Sequence, residues 1–280
     1  MPLVSTGELI AEAAARGSAV AAFNVITLEH AEAIAAGAAS AGRPAILQIS
    51  HNAVRFHGAL APIAAAAAAV ADASGVRLAL HLDHVEDEAL LRQAADTGFS
   101  SAMFDAGALP YDENVRATAA AAEWAHGVGL WLEAELGYVG GKPDAPASAH
   151  AAGVRTDPDE ARAFVAATGV DALAVAVGSS HAMTSRTANL DRELIAALRA
   201  SVPVPLVLHG SSGVPDDELR AAVAAGMVKI NVGTALNIAF TGAVRATLAE
   251  QESSDPRKYL APARDAMSAV VADLLRVVSG

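Results

Sequence analysis

The chain has 280 residues, 53% of them hydrophobic but only 4% aromatic, with no cysteine and a formal net charge of −12. Alanine supplies much of the apolar mass, so the core is built from small side chains rather than rings. The acidic balance argues against nucleic acid and anionic membrane surfaces, which select for Lys and Arg, and the lack of cysteine excludes disulfides and thiolate metal sites.

The opening Met1-Pro2-Leu3-Val4-Ser5-Thr6-Gly7 lacks the basic-then-apolar layout of a signal peptide. The longest uncharged run, between Arg55 and Asp72, is too short for a comfortable membrane span. A soluble cytoplasmic protein is the expectation.

In chain order, hydrophobic periodicity predicts a leading helix over residues 7–16. Strands follow over 20–25, 45–50, 77–83, 101–105, 130–136, 172–177, 205–209 and 227–232. The helices after them span 27–41, 58–74, 85–97, 110–126, 157–167, 191–200, 215–225 and 235–250, and residues 268–278 form one more. Pro110 and Pro158 stand near helix starts, where a missing N–H costs nothing. After the fifth strand, the Gly/Pro/Ala-rich residues 137–155 are long enough for a mobile active-site lid. Eight strand–helix units with no second composition block predict a single domain over residues 1–280, an α/β (β/α)8 TIM barrel. An open doubly wound sheet is the alternative. It usually carries a glycine-rich phosphate loop after its first strand, and here that strand ends Ala22-Phe23-Asn24-Val25.

Barrel active sites sit at the C-terminal ends of the strands. The polar residues there are Asn24, Ser50, Asp83 with His84, Asp105, Glu133, Glu135, His181, His209 and Asn231. A lone histidine after a strand is more often a helix cap or a satisfied core residue than a ligand. His84, His181 and His209, brought to one rim, make a stronger signal: three imidazoles with an open fourth position suit a catalytic Zn2+. Asp83 leaves the third strand beside His84, on the opposite face by simple alternation, and His81 shares its face. Asp105 and Glu135 could form a second, weaker divalent or monovalent cation site, orient the histidines, or serve as caps or ion-pair partners. Glu133 receives no role. Two glycine-rich turns, Gly210-Ser211-Ser212-Gly213 and Asn231-Val232-Gly233-Thr234, stand where barrels often hold a phosphate on backbone amides and a helix N-terminus. Ordinary turn chemistry also accounts for each of them alone.

Five ordered motifs resemble the class II, metal-dependent ketose-bisphosphate aldolases, including the fructose- and tagatose-bisphosphate branches. They are His81-Leu82-Asp83-His84, Glu133-Ala134-Glu135-Leu136-Gly137 with Gly140-Gly141, Ala176-Val177-Gly178-Ser179-Ser180-His181, His209-Gly210-Ser211-Ser212-Gly213 and Lys229-Ile230-Asn231-Val232. The likeness runs from Ala22-Phe23-Asn24 to Asp255-Pro256-Arg257. It implies zinc on His84, His181 and His209, Asp83 as the proton carrier at the substrate C4 hydroxyl, and an alternate metal position at Asp105 and Glu135. It also implies the phosphate of dihydroxyacetone phosphate at Gly210, Ser211, Ser212, Asn231, Val232, Gly233 and Thr234. Arg257 then meets the second phosphate, Asn24 and Ser50 lie near the bound ketone, and the protein is a homodimer or homotetramer.

Five positions, at four places in the chain, depart from the family pattern. Pro143, flanked by Lys142 and Asp144, stands where many members carry a loop acid two places after the paired glycines. Ala182 replaces the glycine that usually contacts phosphate, Ala106-Gly107 stands where Gly-Ser is common, and Ala235 where many members have Glu. A covalent mechanism through Lys229 is the runner-up chemistry. A non-catalytic, sugar-phosphate-binding barrel is the rival in another class. A metal-dependent hydrolase would need His-x-His at the first strand, and Phe23-Asn24-Val25 lacks it.

Overall fold

The structure is a computed structural model that describes residues 3–139 and 155–280. Eight parallel strands close into a barrel in sequence order: β1 (Val20–Asn24), β2 (Ala45–Ser50), β3 (Leu78–Val85), β4 (Ser101–Phe104), β5 (Trp131–Leu136), β6 (Ala172–Val175), β7 (Leu206–Leu208) and β8 (Met227–Val232). Closure is made where Ala22 and Phe23 of β1 lie beside Asn231 and Val232 of β8. The first helices are α1 (Thr6–Ala15), α2 (Leu28–Ala41), α3 (His51–His57), α4 (Leu60–Ala73), α5 (Glu88–Asp96) and α6 (Tyr111–Gly127). The rest are α7 (Pro158–Thr168), α8 (Arg192–Ser201), α9 (Asp216–Ala225), α10 (Thr234–Glu250) and α11 (Arg257–Val278). Among the described residues no single helix is long and apolar enough to cross a membrane.

The strands are buried on both faces, as a parallel sheet wrapped by helices requires. Their outer faces pack on the helices in one continuous core. Inside the barrel, Leu9, Ile10 and Ala13 of α1 meet Val20, Ala22, Ile46, Ala79 and Val228, so the leading helix plugs the N-terminal end. Toward the C-terminal end the interior turns polar, with Gln48, His81, Asp83, Glu133, His209 and Lys229 all buried. That layer is where side-chain alternation sends every second residue of β2, β3, β5 and β8.

All eight expected strands form, and the differences lie at their ends and in three helices. Strand β3 runs on through Val85, and α5 therefore starts at Glu88, capped by Asp87, rather than at residue 85. Helix α3 was not expected; the Ser50 hydroxyl accepts the Ala53 N–H and starts it directly from the end of β2. Helix α11 begins at Arg257, not at residue 268; Pro262 stands inside its opening turns, where a proline reads as a helix breaker. Residues 140–154, including Pro143, Asp144 and most of the expected lid, lie outside the described residues.

Candidate metal centre

The end of β3, the loop after β6 and the residue following β7 bring His84, His181 and His209 together. Their ring centroids are 5.2 Å (His84–His181), 4.9 Å (His84–His209) and 5.7 Å (His181–His209) apart, all edge-on. Glu135 joins them, and one ligand atom from each of the four residues lies within 4.8 Å of the other three. The Nδ1 of His209 is 3.1 Å from Nε2 of His84 and 3.4 Å from Oε2 of Glu135. A tetrahedral zinc with bonds of about 2.0–2.1 Å spaces its ligand atoms about 3.3 Å apart, so these separations are those of a shared cation. Imidazole nitrogens with one carboxylate are a zinc-type donor set. The residues present fit the metal.

His84 reaches this cluster through a local break in the strand. Its φ is +50°, and the β3–β4 register shifts between Leu82 and Val85. Plain alternation would send Asp83 and His84 to opposite faces. The bulge and the left-handed residue turn His84 inward, so that its Nε2 lies 4.0 Å from Asp83 Oδ2. The expected divergence of these two side chains is thus corrected to convergence.

The rings of His84 and His209 are held from behind. Asp105 Oδ2 lies 2.9 Å from Nδ1 of His84, which leaves Nε2 for the centre. Glu133 Oε1 lies 2.9 Å from Nε2 of His209, which leaves Nδ1. Asp105 therefore stands as an orienting partner of His84, while Glu135 stands with the three rings. Glu133 is wholly buried and paired with Lys229 Nζ at 2.7 Å. Burial alone would push its carboxyl up; the Lys229 ammonium and the hydrogen bond from His209 outweigh that and hold it well below the usual carboxylate range. His81 is pushed down to about 3, first by burial and then by the Lys229 charge, so it is neutral. It lies 3.9 Å from Asp83, too far for a hydrogen bond, and bonds Ser101 Oγ at 2.8 Å instead. The group that holds Asp83 is Gln48, whose Nε2 donates to Asp83 Oδ2 and to Asn24 Oδ1, each at 3.1 Å.

The two glycine-rich turns are tied together. Ser211, Ser212 and Gly213 form a single 3-10 turn, and the Ser212 hydroxyl accepts the Ala235 N–H at 3.0 Å in the first turn of α10. Thr234 starts that helix directly after Val232 and Gly233. Asn231 Nδ2 lies 3.0 Å from Nε2 of His209, which joins the turn to the histidine cluster. Gly210 has φ +67°, and a Cβ there would stand 2.6 Å from the Ser180 carbonyl carbon and oxygen, just before His181. Only glycine lets β7 pass that loop so closely. Ala182 occupies the left-handed region at φ +58°, the conformation for which a glycine is the natural choice. Ser50 is committed to capping α3. Arg257 is not drawn into the cluster: its side chain is 89% exposed and clasps Asp255 at 2.8 Å.

Gln48, Glu133 and Lys229 also belong to this centre; read from the sequence, Gln48 is passed over, Glu133 has no role and Lys229 is considered only as a covalent nucleophile. Each sits two residues before a polar rim residue, Ser50, Glu135 and Asn231. In a closed barrel that spacing places both members of a pair on the inner face, so the signal was present.

The sequence profile of the family described as class II fructose-bisphosphate aldolase matches residues 4–280. The fold is similar to that of the YdjI aldolase from Escherichia coli K12, at 28% identity and a TM-score of 0.85, covering 99% of this chain and 97% of that one. It is also similar to a protein from Coccidioides immitis assigned as a fructose-1,6-bisphosphate aldolase, at 29% identity and a TM-score of 0.87, covering 98% and 95%. The fold alone is shared with the fructose-bisphosphate aldolase Fba of Campylobacter jejuni, at 22% identity and a TM-score of 0.83, covering 99% and 95%. With a match that runs almost from end to end, the chain belongs to the class II fructose-bisphosphate aldolase family.

Proposed function

We propose that this protein is a zinc-dependent aldolase that reversibly cleaves a ketose 1,6-bisphosphate, fructose or tagatose, to dihydroxyacetone phosphate and glyceraldehyde 3-phosphate. The observation that carries this reading is the convergence of His84, Glu135, His181 and His209 on one point with Asp83 beside them. When bound, a divalent cation there supplies Lewis-acid stabilisation of negative charge developing on the ketone fragment.

Asp83 is the proton carrier. In cleavage its carboxylate takes the C4 hydroxyl proton as the C3–C4 bond breaks, the bonding pair stays with the ketone fragment, C4 leaves as the aldehyde, and the former C3 then takes a proton to complete dihydroxyacetone phosphate. In condensation the same proton returns to the new alkoxide. Gln48 fixes the carboxylate that does this, and the burial of Asp83 keeps bulk water from competing. The phosphate of the ketone fragment is held by amides and hydroxyls of Gly210, Ser211, Ser212, Asn231, Val232, Gly233 and Thr234, with the Ala182 amide alongside and the N-terminus of α10 supplying favourable field. Asn24 and Ser50 flank the ketone, and Arg257 takes the second phosphate. Lys229 is not the nucleophile, because its amine is occupied by Glu133 inside the barrel. The same reading makes the protein a cytoplasmic homodimer or homotetramer whose partners are small sugar phosphates, with neither nucleic acid nor a membrane among them.

Fructose 1,6-bisphosphate and tagatose 1,6-bisphosphate, offered separately to zinc-loaded protein, test the proposal through release of dihydroxyacetone phosphate. Release from at least one supports an aldolase and names its substrate. Tight binding of both with release from neither favours the non-catalytic barrel.

A further inference from the structure

Lys229 and Glu133 form a fully buried ion pair inside the barrel, and neither reaches the rim. The two oxygens of Glu133 face different partners. Oε2 lies 2.7 Å from Lys229 Nζ, and Oε1 lies 2.9 Å from Nε2 of His209. A carboxylate accepts and does not donate, so this contact requires the proton of His209 to sit on Nε2. Asn231 Nδ2 lies 3.0 Å from the same nitrogen, but the charged oxygen is the stronger partner. With Nε2 protonated, the lone pair of His209 is on Nδ1, the nitrogen that looks toward His84 and Glu135.

Lys229 is itself fixed from the far side. Its Nζ lies 3.4 Å from Nε2 of His81, whose Nδ1 lies 2.8 Å from Ser101 Oγ, and that hydroxyl donates to Thr6 Oγ1 at 2.7 Å. Donors follow one another along this chain from Lys229 to α1, so the lysine cannot turn away from Glu133 without breaking it. We propose that Lys229 and Glu133 are a positioning pair that fixes the tautomer and tilt of His209 and thereby sets how tightly the metal is held. The proposal rests on the metal-centre reading above. It assigns Lys229 a role two contacts removed from the cation and no part in bond making.

The test combines a spectroscopic readout with a binding one. Nitrogen-15 NMR of metal-free wild type should show His209 protonated on Nε2; protonation on Nδ1 would overturn the proposal. Lys229→Met should weaken zinc binding by about 10- to 100-fold, the usual effect of losing a partner behind a metal ligand. Because that variant leaves a buried carboxylate unpaired, the double variant Glu133→Leu/Lys229→Met is the control that removes both charges. It should fold, lose the single His209 tautomer and bind zinc about 10- to 100-fold more weakly. A folded double variant with wild-type zinc affinity would overturn the pair's role alone. Wild type that binds no zinc would instead overturn the metal-centre reading, while the metal-free tautomer still decides for or against the pair.

Discussion

Asp105 Oδ2 stands 2.9 Å from Nδ1 of His84, so this ring can offer the centre only Nε2. The same contact holds a residue whose backbone is in the left-handed region, at φ +50°. Asp105→Ala should therefore loosen both the tautomer and the placement of His84. Zinc affinity, measured by competition with a chromophoric chelator, should fall about 10- to 100-fold. Wild-type affinity in that variant would mean that the strand bulge alone positions the ring.

Gln48 should matter for turnover rather than for metal. Its amide donates to Asp83 and Asn24 together, and a hydrogen bond to a charged group contributes about 1.5–3 kcal/mol. Gln48→Leu should lower kcat about tenfold to a hundredfold, with zinc content unchanged. Equal loss of zinc and of turnover would show that Gln48 supports the whole rim rather than Asp83.

The barrel was legible because each strand ends where polar residues replace apolar ones and a helix follows. The inner polar layer was harder to see. Glu133 and Lys229 lie inside runs such as Trp131-Leu132-Glu133-Ala134 and Met227-Val228-Lys229-Ile230, where a charge is easily taken for an edge position. Only closure puts the two on facing strands at 2.7 Å. The turn of His84 toward Asp83 was beyond any two-residue period, since it depends on a register slip against β4. Helix α3 escaped because its seven residues are too short for a helical stripe and its start is a serine cap that also ends a strand. Arg257 is legible only through the motif it belongs to, because its exposed side chain pairs with Asp255 and makes no contact with the histidine cluster.

Ala182 carries a conformational cost that a glycine would not. A non-glycine residue at φ +58° is strained by about 1–2 kcal/mol, against which glycine loses about 0.4–1 kcal/mol through the freer unfolded chain. Ala182→Gly should stabilise the fold by about 1 kcal/mol and raise Tm by about 2 °C. A lower Tm would show that the Ala182 methyl contributes packing that outweighs the strain.

Acid should weaken the fold partly through His81. Its value in the folded state is about 3, against about 6.5 in an unfolded chain. Between those limits the unfolded chain binds a proton that the folded protein refuses, so stability rises with pH there. The contribution is complete above about pH 6.5 and is lost as pH falls toward 3. His81→Gln removes the titration while keeping a side-chain donor for Ser101. Urea unfolding between about pH 6 and pH 4 should then show a slope shallower by up to about 1.4 kcal/mol per pH unit. An identical slope would remove His81 from the acid response.

Metal-dependent cleavage by three imidazoles gathered from β3, the loop after β6 and the end of β7 is the centre of this account, and a zinc titration of stripped protein tests it most directly. Ketose-bisphosphate cleavage should be absent after chelation, rise in proportion to added zinc, and level off at one bound ion per chain. Undiminished cleavage by protein shown to contain no metal would contradict it.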